Sequence, residues 1–150
     1  MVKLKRRYFL VELISTDPVH KIEFRHVYRE ISDKIKTLYG EAGAGAFMYS
    51  STASEVKAPA GMHIFKVFTH HTDMFSVAMT CVDSVNGQAV QLRCLAKSST
   101  IRTVYRKAIR ISQTRLSRAA IASKDQQALR YNSLKALQSI SGHAIPEEGY

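Results

Sequence analysis

Two stretches of this 150-residue chain contain no acidic residue, and they hold most of its charge. The chain has 22 Lys and Arg against 12 Asp and Glu, a formal net charge of +10. The opening stretch carries Lys3, Lys5, Arg6 and Arg7, and residues 101–124 carry Arg102, Arg106, Lys107, Arg110, Arg115, Arg118 and Lys124. The remainder sums to about neutral. A solubilising charge could be spread anywhere, whereas two concentrated basic segments around a balanced middle resemble the footprint of a docked polyanion.

Other absences narrow the class. Only Cys81 and Cys94 occur, each inside an apolar periodic segment, so a disulfide framework or a cysteine metal cage is excluded and two buried, reduced thiols are expected. No apolar run approaches the roughly 18 residues a membrane helix needs. The start leads into an alternating strand pattern rather than a signal-peptide apolar block, so an intracellular protein without a membrane partner is expected. There is no internal repeat or low-complexity tract. No nucleophile elbow, no H-E-x-x-H and no paired acids of a nuclease or glycosidase pattern appear, so the chain offers no catalytic constellation of its own.

What is present reads as one domain, residues 1–142, with a fraying tail at 143–150 around Pro146-Glu147-Glu148. Tyr8 to Ile14 alternates as a strand apolar on both faces. Phe24, Val27, Tyr28, Ile31, Ile35 and Leu38 recur at helical spacing, and Gly40 is expected to end that helix. Phe47 to Ser54 and Met62 to Phe68 are rich in strand formers and suggest a hairpin across Ala58-Pro59-Ala60-Gly61. A second helix is expected from Thr72, stopped by Asn86-Gly87. Residues 88–97 then alternate, with Val90, Leu92, Cys94 and Ala96 on one side and Gln91, Arg93 and Lys97 mostly on the other. That order predicts an α+β, ferredoxin-like (RRM-like) βαββαβ sandwich with an antiparallel sheet. Two extra C-terminal helices, one from about residue 101 and one announced by the capping pattern Ser123-Lys124-Asp125-Gln126, are expected to cover the second sheet face.

Several constellations bear on function. Arg102, Arg106 and Arg110 share one helix face while Ile101, Val104, Ala108 and Ile111 lie opposite, and like charges at four-residue spacing repel unless a polyanion compensates them. A solvated surface is the plainer alternative. Ser98, Ser99 and Thr100 put hydroxyls at the start of that helix, an arrangement suited to a phosphate and equally to ordinary capping. Gly40-Glu41-Ala42-Gly43-Ala44-Gly45 leaves a helix instead of entering one, the wrong polarity for a nucleotide loop. His70-His71 read as loop histidines, since no other ligand stands at metal-site spacing. Phe65 and Phe68 occupy a central-strand candidate, but the glycine and aromatic spacing of an RNA-recognition motif is missing, and they read as core aromatics. Tyr28, Tyr39 and Met62 add apolar surface on the first helix and sheet edges, from which a protein partner is expected.

The run from Met1 to Leu13, a basic lead followed by Arg7-Tyr8 and an apolar strand, resembles the start of the POP-five subunit family of ribonuclease P and ribonuclease MRP. Ser98-Ser99-Thr100-Ile101-Arg102 resembles its Ser-Gly-Thr-Ile-Arg segment, and Ile64-Phe65-Lys66-Val67 its central strand; the likeness spans residues 1 to about 118. The resemblance implies a non-catalytic subunit that braces a catalytic RNA, which itself removes the 5′ leader of precursor tRNA. It implies an RNA-facing set of Lys3, Lys5, Arg6, Arg7, Ser98, Thr100 and Arg102, to which the hydroxyls at the helix start add Ser99 and the charge pattern adds Arg106, Lys107 and Arg110. The implied partners are ribonuclease P RNA, MRP RNA, a TIM-barrel-like subunit, other ribonuclease P and MRP proteins, and precursor tRNA in the complex. No cofactor is expected on the protein, and Mg2+ is expected on the RNA. The implied compartment is the nucleus and nucleolus, or the cytoplasm of an archaeon. Ser99 stands where the family carries Gly; if that glycine serves a positive φ, a β-carbon must be accommodated there. A ribosome or RNA-processing accessory protein, or a ferredoxin-like ligand-binding regulatory domain, are the alternative readings.

Overall fold

The computed structural model describes residues 5–15, 22–55 and 61–122. Strand β1 (Arg6–Ser15) is followed by helix α1 (Phe24–Ser50), strands β2 (Thr52–Glu55) and β3 (Met62–Phe68), helix α2 (Thr72–Thr80), strands β4 (Ser84–Val85) and β5 (Gln88–Ser98), and helix α3 (Ile101–Ala122). The sheet order is β2-β3-β1-β5-β4, with every neighbouring pair antiparallel and β1 at the centre. This is the expected α+β sandwich. The second C-terminal helix, the tail and Lys3 lie outside the described residues.

A central strand needs cover on both sides, and β1 has it. Phe9 and Val11 pack with Val27, Ile31 and Ile35 of α1 and with Phe75, Ala78 and Met79 of α2, together with Phe65 and Val67. Tyr8 and Leu10 point the other way, joining Met62 and Ile64 under Val104 and Ala108 of α3. The i, i+4 spacing of Val27, Ile31 and Ile35 supplies the inner stripe of α1, and Val104 with Ala108 does the same for α3.

Several expected element boundaries shift for identifiable reasons. Gly40 interrupts α1 as expected, with non-helical φ 75° and ψ −178°, but a second helical segment follows the kink at once and runs to Ser50. Glycine absorbs the break, and the alanine-rich residues after it are strong helix formers. Ala44, Phe47 and Ser50 thereby fall on one buried face, so Phe47 is helical rather than the start of a strand, and β2 begins only at Thr52. Asn86-Gly87 does not stop α2, which ends at Thr80. Both residues have positive φ, 52° and 76°, and form the two-residue turn between β4 and β5, the primed geometry that Asn-Gly favours.

The alternation of β5 also breaks. Its pairing with β1 shifts between Leu10↔Ala96 and Val11↔Cys94, leaving Leu95 as an extra residue. Val90 and Leu92 therefore face α1 and α2, whereas Ala96 and Leu95 pack toward α3 and Lys97 lies over the Phe9 ring at 5.1 Å. Cys81 and Cys94 are free and exposed, not buried. Partial desolvation nonetheless raises the Cys94 thiol pKa.

Candidate nucleic-acid interface

Strand register brings the two basic segments to one end of the sheet. Tyr8 of β1 sits opposite Ser98, the last residue of β5, so Lys5, Arg6 and Arg7 lie level with the connection into α3. The lead is held there by Thr69, whose backbone N–H and hydroxyl both donate to the Lys5 carbonyl at 2.9 Å. Lys5 and Arg6 are exposed, while Arg7 is half-buried opposite Val67 on the α1 and α2 side of the sheet.

Helix α3 begins at this same end and runs along β1, because Arg115 in its latter half reaches Glu12 near the far end of the strand. Thr100 precedes its first turn, with its hydroxyl 2.8 Å from that of Thr103, and its backbone N–H donates to Ser98 Oγ at 3.3 Å. These are capping contacts. Ser99 is exposed and has no positive φ: among the described residues Asn86 alone of the non-glycines does, so the β-carbon is accommodated without left-handed backbone.

Arg102, Arg106, Lys107 and Arg110 are all exposed, and among the described residues no carboxylate pairs with them. The helix is thus apolar toward the sheet and carries its free cations outward, the division its sequence predicts. Arg115 departs from that pattern. Its guanidinium bonds to Glu12, a carboxylate that is 8% exposed on the same sheet face as Tyr8 and Leu10. The hydrogen bond to Glu12 raises the Arg115 pKa further, so this arginine fastens the helix instead of joining the free basic face. Only the packing of α3 along β1 identifies Glu12 as its partner.

Two residues of the same face escaped the sequence reading as RNA-facing positions. Lys66 lies opposite Tyr8, and Phe68 opposite Arg6, so β3 extends the basic edge by one lysine and one aromatic ring. The alternation Met62, Ile64, Lys66, Phe68 contains the signal, since it puts all four on one side. Phe65 belongs to the larger core as expected, but Phe68 packs into neither core. Met62, offered as partner-facing surface, is 1% exposed and sits beneath α3.

His70 and His71 form a short turn with ring centroids 5.1 Å apart, and among the described residues no group of three His, Cys, Asp or Glu side chains could hold a metal. Burial first, and then the neighbouring His70, lowers the His71 pKa. No described helix is long and apolar enough to cross a membrane. The face can bind and orient a polyanion.

Comparison with known proteins gives the same direction. The chain is 31% identical over 106 residues to ribonuclease P protein component 2 of Methanosphaerula palustris; the match spans 71% of this chain and 62% of that relative, less than two thirds of its length. A chain in the cryo-EM structure of yeast ribonuclease MRP shares the fold, with a TM-score of 0.52 at 20% identity, covering 67% of this chain and 78% of that one. The sequence profile of the Rpp14/Pop5 family matches residues 7–109, the span that holds β1, the sheet and the start of the basic helix, and the chain accordingly belongs to the Rpp14/Pop5 family.

Proposed function

We propose that this protein is a non-catalytic, RNA-binding subunit of ribonuclease P, shared with ribonuclease MRP where both particles exist. The observation that carries this reading is the convergence at one end of the sheet of exposed Lys5 and Arg6 at the start of β1 with α3, which carries exposed Arg102, Arg106, Lys107 and Arg110. An unpaired cationic face of this kind neutralises phosphates in closely packed RNA and fixes its shape, and it offers no acid, base or nucleophile for cleaving one. Cleavage then belongs to the RNA and to Mg2+ held on phosphate oxygens, with precursor tRNA as the substrate.

A protein partner completes the picture. Leu38, Tyr39, Met48 and Tyr49 of α1 are exposed, Tyr49 to 91%, and a groove of about 610 Å³ lies between the start of α1 and β2. That apolar surface suits a second protein of the particle, which we take to be the TIM-barrel-like subunit. The proposed compartment is the nucleus and nucleolus, or the cytoplasm in an archaeon.

Reconstituted precursor-tRNA cleavage across a magnesium series tests the reading. Replacing Lys3, Lys5, Arg6 and Arg7 together with Gln should impair cleavage at ordinary magnesium and be partly rescued as magnesium rises, because free cations replace screening but not a general base. Replacing His70 and His71 should leave activity nearly unchanged. Cleavage by the protein without RNA, or complete loss on the histidine change with assembly intact, overturns the reading.

A further inference from the structure

We propose that Phe68, framed by Arg6 and Lys66, is a stacking platform for one unpaired nucleobase of the bound RNA; this rests on the RNA-binding reading and adds what part of the RNA the sheet end takes. The argument begins with β3. Met62 and Ile64 face α3 and are buried, whereas Lys66 and Phe68 continue the same face beyond the apolar stripe of that helix. Phe68 is half-buried and, among the described residues, packs into neither core. A phenylalanine at the open end of a strand gains little for the fold.

Its surroundings are cationic or neutral. The Arg6 guanidinium lies over the ring at 5.4 Å from its centroid, the His70 ring is 6.1 Å away at 43°, and Lys66 stands next on the same face. Arginine on an aromatic ring is a flat, prepared surface, and a base adds to such a stack through its own π-face while its flanking phosphates meet cations. Across the sheet from Lys66, past Tyr8, come Ser98 and the first turn of α3. A base on Phe68 therefore leaves its backbone running between Lys66 and Arg102. A duplex keeps its base faces stacked inside, so the ligand is a nucleotide in a loop, bulge or single-stranded joint.

The chain contains no tryptophan, which gives the test its reporter. Phe68→Trp in the full chain places one fluorophore at the platform. Titration with a single-stranded hexanucleotide should quench it strongly, and the same sequence as a duplex should quench it weakly. Phe68→Leu, which keeps apolar bulk but no π-face, should weaken single-strand binding about tenfold while the dependence of affinity on salt stays as in the parent. Thermal unfolding of each variant checks that the sheet is intact. Equal quenching by strand and duplex, or undiminished single-strand affinity in Phe68→Leu, overturns the platform while the basic face stands. Failure of the parent chain to bind either probe removes the platform and the RNA-binding reading together.

Discussion

The two sides of the sheet are built to different standards. On the α1 and α2 side, Phe9, Phe47, Phe65 and Phe75 are all essentially inaccessible and interlock, with Phe75 4.8 Å from Phe9 and 5.1 Å from Phe65. On the α3 side the core among the described residues is Tyr8, Leu10, Met62, Ile64, Val104 and Ala108, mostly aliphatic side chains between β1, β3 and α3. Large aromatic area on one side carries the fold; a thin apolar seam on the other holds out a cationic helix. Among the described residues, the surface that touches RNA in our reading thus rests on the smaller, less aromatic core.

Mutations on the two sides should separate accordingly. Phe75→Ala should cost about 3–5 kcal/mol in denaturant unfolding and lower the whole transition, since the cavity opens among the rings of Phe9, Phe47 and Phe65. Val104→Ala should cost about 1–2 kcal/mol. Hydrogen exchange should localise that loss, with faster exchange in α3 while α1 keeps its protection; uniform loss across both helices would erase the distinction.

Arg115→Gln leaves the Glu12 carboxylate without its cation. Because Arg115 is half-exposed, about 1 kcal/mol is expected, well below the range for fully buried pairs. Replacing Arg102, Arg106 and Arg110 with Gln should have almost no effect on stability. It should instead lower the slope of log affinity against log salt by about 0.7–0.9 for each phosphate that is no longer neutralised, and an unchanged slope in a folded triple variant would mean that this face is merely solvated.

The smallest effect is the pH dependence of His71. Its folded-state pKa lies below the ordinary 6.5, so the unfolded chain binds the proton more readily. Its contribution to stability is complete above about 6.5 and diminishes as pH falls through that value toward the folded pKa. His71→Gln should flatten the low-pH side of a stability profile.

Much of this arrangement was legible in the sequence because period carries burial. The double-faced β1, the α1 stripe and the split of α3 into Val104 and Ala108 against three arginines all follow from spacing alone. The errors arose where one residue type serves two structural ends. Gly40 and Asn86-Gly87 are both helix-stop signals; one became a kink and the other a hairpin turn, and the deciding contacts, such as Phe47 on Phe75, are tertiary. The Glu12–Arg115 pair joins residues 103 positions apart, and Phe68 beside Arg6 is a cross-strand relation. Neither leaves a local trace. Ser99 needed the backbone itself, since only its dihedral answers whether a glycine was required.

The extra residue at Leu95 has a consequence for how this strand can evolve. Before it, even-numbered positions of β5 belong to the aromatic core; after it, odd-numbered positions do, and Lys97 is the first to profit. The strand is therefore written in two reading frames joined at one position. Deleting Leu95 would remove the bulge and leave Ala96, Lys97 and Ser98 in their present pairing with β1, whereas deleting a residue elsewhere in β5 with the bulge kept would move every later residue to the opposite face and offset the start of the basic helix by one step, about 100° around its axis. Substitutions in β5 are local edits and the bulge itself can be lost without turning the strand, but a change of length elsewhere in β5 rotates the whole cationic face away from its target.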